Sequence, residues 1–158
     1  MMAYYDLNSV KSCLETLIRE NSFTITVAEN YSENTESQIK PYLMDMVNSG
    51  FIKRYFLFEK NITNNIILSV LKDRTSVVNY TPHILITDGS LSTKDTGWSI
   101  KQKELLDRSA SILTCAVNID TSNMPSGQEN YFNPVMRSDK RRMLFLQEII
   151  CFCFVQTN

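Results

Sequence analysis

The sequence predicts an α+β protein made of two small domains: an α-β-α-β-β amino-terminal unit and a mainly β carboxy-terminal unit with a short helix. Three observations carry this expectation. Residues 1–73 switch repeatedly between helical and alternating apolar periodicity. After Asp73 the chain turns to extended runs interrupted by Pro82 and by a polar loop. The totals, 158 residues with 43% hydrophobic and 21% charged, suit one domain or two small ones that bury a core. The domains are therefore expected at 1–74 and 75–158, the second carrying an inserted loop around 124–143.

The elements follow in order. Leu7, Val10, Leu14, Leu17 and Ile18 recur at spacings of three and four and make one apolar helical face. In FTITVAE, Phe23, Ile25 and Val27 alternate with Thr24, Thr26 and Ala28 as in a half-buried strand. A polar capping stretch, NYSENTES, leads into a second helix that starts near Lys40, because Pro41 is tolerated only in a first turn, and stops at Gly50. FIKRYFLFEK and NNIILSVLKD read as two strands joined by a short hairpin link. In the second unit HILIT is extended, IKQKELLDRSA a short helix and SILTCAVNI a buried strand. QEIICFCFV closes the chain as a strand.

Composition excludes several classes. The formal net charge of -1 and pI near 5.8 argue against a protein that only coats phosphates, although local basic patches remain. No apolar run approaches the roughly 20 residues that span a bilayer, and the start has neither a secretory nor a transit pattern. Cys13, Cys115, Cys151 and Cys153 have a single histidine, His83, for company, so the C-x-C pair reads as small buried hydrophobes rather than a zinc site. No metal or other cofactor is expected. His83 reads as a turn or interface residue, Trp98 as a packing group.

Four stretches resemble the bacterial-type small-subunit ribosomal protein eight family. TLIRE matches the family's T-R-I-R-N at Thr16, Ile18 and Arg19. Ser37, Ile39 and Lys40, followed by Gly50-Phe51-Ile52, resemble its S-K-L-K opening and the helix end E-G-F-I. YTPHILIT is similar to the entry into its second domain. DTSN, Asp120 to Asn123, stands at its signature loop, and Glu148 to Cys151 repeat its closing E-I-I-C. The resemblance implies a non-catalytic constituent of the small ribosomal subunit that binds the central domain of small-subunit rRNA and supports assembly.

It implies rRNA contacts at Thr16, Arg19, Ser37, Lys40, Asp120, Thr121, Ser122, Asn123 and Glu148, with added charge from Arg137, Lys140, Arg141 and Arg142. Neighbouring ribosomal proteins would be the other partners, with no membrane and no small-molecule substrate. The near-neutral charge and enlarged loop point to a mitochondrial member, in the mitochondrial small subunit, compatible with an organelle-encoded gene. Two other readings stand beside it: a thiol- or metal-dependent enzyme built on Cys115, Cys151 and Cys153, and a viral or accessory interaction module.

Overall fold

A computed structural model describes residues 1–62, 65–72, 83–89, 91–108, 115–117, 144–146 and 152–155. Seven strands and four helices are defined among them, so the class is mixed α and β as expected. Strand β1, Met2–Ala3, leads into helix α1, Leu7–Glu20, and back into β2, Ile25–Asn30. A π-helical turn, Thr35–Ile39, and α2, Lys40–Asn48, return the chain to β3, Ile52–Phe58. All three strands are parallel, in the order β1-β2-β3, with Met2 opposite Ala28 and Tyr55 opposite Val27.

Helix α1 forms where the apolar spacing requires it. Asp6 caps it by accepting the Ser9 backbone N–H at 2.8 Å, and Asn21 ends it in the left-handed region at φ 51°, where a short amide side chain is tolerated. Val10, Cys13, Leu14 and Leu17 bury the expected face against Ile25 and Val27 of β2 and Ile39 and Leu43 near α2. Each such side chain removed from water stabilises by about 1.5–3 kcal/mol. Pro41 sits in the first turn of α2 as expected, and Gly50, at φ 77°, closes its far end while Phe51 N–H reaches back to the Met46 carbonyl at 3.0 Å.

The run NNIILSVLKD departs from expectation. Asn65–Lys72 is a helix, α3, so there is no hairpin after β3. Ile66, Ile67 and Val70 fit one face of a helix. Ile67 and Val70 lie near Thr26 and Ala28, the β2 residues that alternate with the α1-facing Ile25 and Val27.

Strand β4, His83–Ile86, pairs antiparallel with β7, Phe152–Val155. Its carboxy-terminal end meets β1: Met2 N–H donates to the Thr87 carbonyl at 2.7 Å, and Gly89 comes against the Met2 carbonyl. A single backbone bond thus brings the chain just past β4 beside β1, while β1-β2-β3 and β4-β7 remain distinct sheets. Helix α4, Trp98–Asp107, follows. Strands β5, Cys115–Val117, and β6, Leu144–Leu146, form a separate parallel pair.

The boundary expected after residue 74 does not divide the core. Leu91 and Trp98 belong to the same buried cluster as Leu14 and Val27. Trp98 packs on Phe23 at 5.7 Å between ring centroids, which confirms its packing role.

Candidate functional site

The residues expected at an RNA surface on α1 are used internally. Thr16 is 3% exposed; its hydroxyl donates to the Ser12 carbonyl at 2.9 Å and receives Thr93 N–H at 3.4 Å. Arg19 donates to the Thr93 carbonyl at 2.8 Å, and Ser12 to the Ser92 hydroxyl at 2.8 Å. Glu20 accepts Gly97 N–H at 2.7 Å and Ser99 N–H at 3.0 Å. One side of α1 is thus a polar seam that fastens residues 92–99. Ser37 is exposed in the π-helical turn, and Lys40 holds both oxygens of Glu36 at 3.0 Å. Asp120, Thr121, Ser122, Asn123, Arg137, Lys140, Arg141, Arg142 and Glu148 lie outside the described residues.

A different group of residues gathers where the strands end. In parallel α/β sheets ligands bind beyond the carboxyl ends of the strands, at the point where strand order reverses. Here the chain steps from β1 to β2 to β3 and then returns beside β1, where the Thr87 carbonyl, just past the end of β4, accepts Met2 N–H. Tyr4-Tyr5-Asp6 leaves the end of β1, Asn30-Tyr31-Ser32 the end of β2, Glu59-Lys60-Asn61 the end of β3 and Thr87-Asp88-Gly89 the end of β4.

This edge is held in a defined shape. Tyr5 has φ 59°, and Asp6 N–H bonds the Tyr4 carbonyl at 2.7 Å, a γ-turn of the strained hand. Asn34 Nδ2 fixes it by donating to the Tyr5 carbonyl at 2.6 Å. Asn61 receives Asn30 Nδ2 at 2.7 Å and donates to the Tyr4 hydroxyl at 3.2 Å, which ties the three loops together. Strain held in place by surrounding bonds concentrates at functional positions. Tyr4, Tyr5 and Tyr31 expose about half of their surface here, and Asp88 is exposed as well.

Two neighbouring acids have fixed duties. Asp6 is occupied with Ser9, whose side-chain and backbone donors pull its carboxyl below the usual range. Glu29 is fully buried and accepts the Tyr55 hydroxyl. Burial raises its carboxyl above the ordinary value, against the opposing pull of the Tyr55 and Thr35 hydroxyls. Cys13, also buried, has its thiol pushed up to about 11 by desolvation, so it is a packing residue and no nucleophile. His83 begins β4 and sits 3.1 Å from Asp107.

Among the described residues no helix is long and apolar enough to cross a membrane, and no cluster of three or more metal-ligating side chains occurs. An apolar cavity of about 250 Å³ lies at the opposite, amino-terminal end of the strands, lined by Phe23, Ile25 and His83 among others. It is far in character from the polar edge just described.

No family model and no solved structure matches this chain. It is similar to three proteins of Acanthamoeba polyphaga mimivirus. It is 35% identical over 132 residues to uncharacterized protein L137, covering 80% of this chain and 18% of that protein. With uncharacterized protein L138 the identity is 35% over 129 residues, 79% of this chain and 15% of the relative. With uncharacterized protein L142 it is 34% over 131 residues, 80% and 26%. The chain thus spans about a quarter or less of the length of the relatives it matches.

Proposed function

We propose that this chain carries the donor-binding face of a group-transfer enzyme, with a nucleoside diphosphate held over the carboxyl ends of β1, β2 and β4. The observation that carries the reading is the return of the chain past the end of β4 to β1, which sets Asp88-Gly89 against the short strand that leads into Tyr4-Tyr5. The tyrosine rings offer faces on which a base stacks, worth about 1–3 kcal/mol per base.

The phosphates cannot be met as in a Gly-rich dinucleotide site. The loop after β1 is Tyr4-Tyr5-Asp6, with no glycine, and the amino terminus of α1 is already satisfied by Asp6. A diphosphate beside this aspartate and Asp88 needs a cation between them. Asp88 is the hard oxygen ligand for it, suited to Mg²⁺ or Mn²⁺. Such a cation also favours departure of the diphosphate, since it neutralises the charge that collects on the leaving oxygen. A sugar is the group that a nucleoside diphosphate activates in this manner: the bond from the sugar carbon to the diphosphate oxygen breaks, and an acceptor hydroxyl takes the carbon and releases a proton. The substrate class is therefore a nucleotide sugar and the reaction glycosyl transfer.

This reading departs from the non-catalytic expectation, and its test is direct. Calorimetric titration with uridine, guanosine and adenosine diphosphates, each with and without Mn²⁺, should give saturable binding of at least one that depends on the cation. No binding of any of them overturns it.

The rRNA reading takes second place. Its support is the Glu148 to Cys151 string and the basic cluster at Arg137 to Arg142, while Thr16 and Arg19 are occupied with residues 92–99. Co-sedimentation with small ribosomal subunits through a high-salt wash would reverse the order of the two.

A further inference from the structure

The segment that follows β2 has a carboxyl sealed beneath it. Glu29 lies in the central strand of its sheet, with Ala3 opposite on β1 and Leu57 opposite on β3, so its backbone is fixed on both sides. Its side chain shares the strand face of Ile25 and Val27, the face that packs on α1, Ile39 and Leu43, and it is 0% exposed.

The groups that act on this carboxyl come from three elements. Tyr55 of β3 donates its hydroxyl, and Thr35, the first residue of the π-helical turn, bears on it as a second donor. Glu36 of the same turn and Lys40 of α2 pair with each other at 3.0 Å and act on Glu29 in opposite senses. Desolvation outweighs them all, so Glu29 keeps its proton to a higher pH than an exposed glutamate does.

Thr35 connects the carboxyl to the edge of the sheet. Its hydroxyl oxygen also accepts Ser32 N–H at 2.8 Å, and its own N–H returns to the Ser32 carbonyl at 3.1 Å. The turn continues through Gln38 and Ile39, whose N–H groups reach the Asn34 carbonyl at 3.0 Å and 3.1 Å. Asn34 in turn holds the Tyr5 carbonyl, and exposed Tyr31 stands just ahead of Ser32. Turns of the π type are rare and recur at functional sites.

We propose that the proton on Glu29 latches residues 31–39, and that its loss lets this segment lift, freeing Tyr31 and, through Asn34, the strained turn at Tyr5. The sign follows from burial. A carboxylate sealed under Thr35 is unsolvated, whereas one beneath an opened segment meets water, so ionisation favours the open form. The segment is closed at low pH and opens as pH rises through the point at which buried Glu29 ionises. This latch works whatever ligand the tyrosine edge takes.

Amide exchange at about pH 5 and about pH 8, corrected for the intrinsic rate, tests the latch. Protection of Ser32, Thr35, Gln38 and Ile39 should fall at least tenfold between the two. These amides should also exchange faster than Leu14 and Leu17 of α1 and ignore low urea, as a local opening does. Glu29→Gln, with no charge to gain, should keep its protection at both pH values. Histidine titrates in the same window, so His83→Asn, at the opposite end of the strands, is the control and should open like the wild type. Should Glu29→Gln not fold, the wild type and His83→Asn decide together. The proposal is overturned by protection that holds to pH 8, that falls equally in Glu29→Gln, that falls only together with α1 and in step with urea, or that no longer falls in His83→Asn.

Discussion

Gly89 stands against Met2 so closely that a Cβ on it would lie 2.7 Å from the Met2 carbonyl oxygen. Its φ is 91°, a conformation that side chains resist. Gly89→Ala therefore has to push β4 away from β1 as well as strain the backbone, and should cost about 2–3 kcal/mol. Urea denaturation checks this. Gly97→Ala is the control: its Cβ meets open space, so only the strain of φ 79° should appear, about 1 kcal/mol.

Glu20 caps α4 from a distant part of the sequence. The amino-terminal N–H groups of α4 find their acceptor in this carboxylate, since Gly97 has no side chain to offer. Glu20→Ala should destabilise by about 1–2 kcal/mol, and Glu20→Gln, which keeps an acceptor, by less. Thermal unfolding of the two variants would show this order. A loss of RNA binding with unchanged stability would instead place Glu20 at a surface site.

The buried Glu29 makes stability depend on pH with a definite sign. Its carboxyl is raised in the folded protein, so the unfolded chain ionises first as pH rises. The stability associated with the protonated form is complete below the unfolded value, near 4.5, and is lost as pH climbs through the raised folded value. Glu29→Gln should therefore gain stability relative to the wild type between pH 4 and pH 8. Urea midpoints at the two pH values measure it.

Cys13 should resist alkylation. With its thiol buried and pushed up to about 11, iodoacetamide at pH 8 should label Cys13 at least tenfold more slowly in the folded protein than in urea, as read by peptide mapping.

Local signals recovered much of the fold. The apolar spacing of Leu7, Val10, Leu14 and Leu17, the alternation through Ile25 and Val27, and the Pro41 and Gly50 limits of α2 all act within a few residues, and each was legible. The run Asn65–Lys72 was not, because eight residues dense in isoleucine, valine and leucine serve strand and helix alike. The candidate site was hidden for a similar reason. Asp88 and Gly89 read as part of a polar loop, and Tyr4 and Tyr5 as an unremarked start. Their meeting depends on β4 returning beside β1, a contact 85 residues apart in sequence at Met2 and Thr87. An acid that follows a short apolar strand, as in ILITD, was the signal available.

The most direct test locates the ligand. In amide-resolved magnetic resonance, a nucleoside diphosphate with Mg²⁺ should shift the signals of Tyr4, Tyr5, Tyr31, Asp88 and Gly89 and leave Phe23, Thr24 and His83 at the other end of the strands unmoved. Asp88→Asn should weaken that binding at least tenfold. Shifts confined to the amino-terminal ends of the strands, or none at saturating nucleotide, would contradict the account.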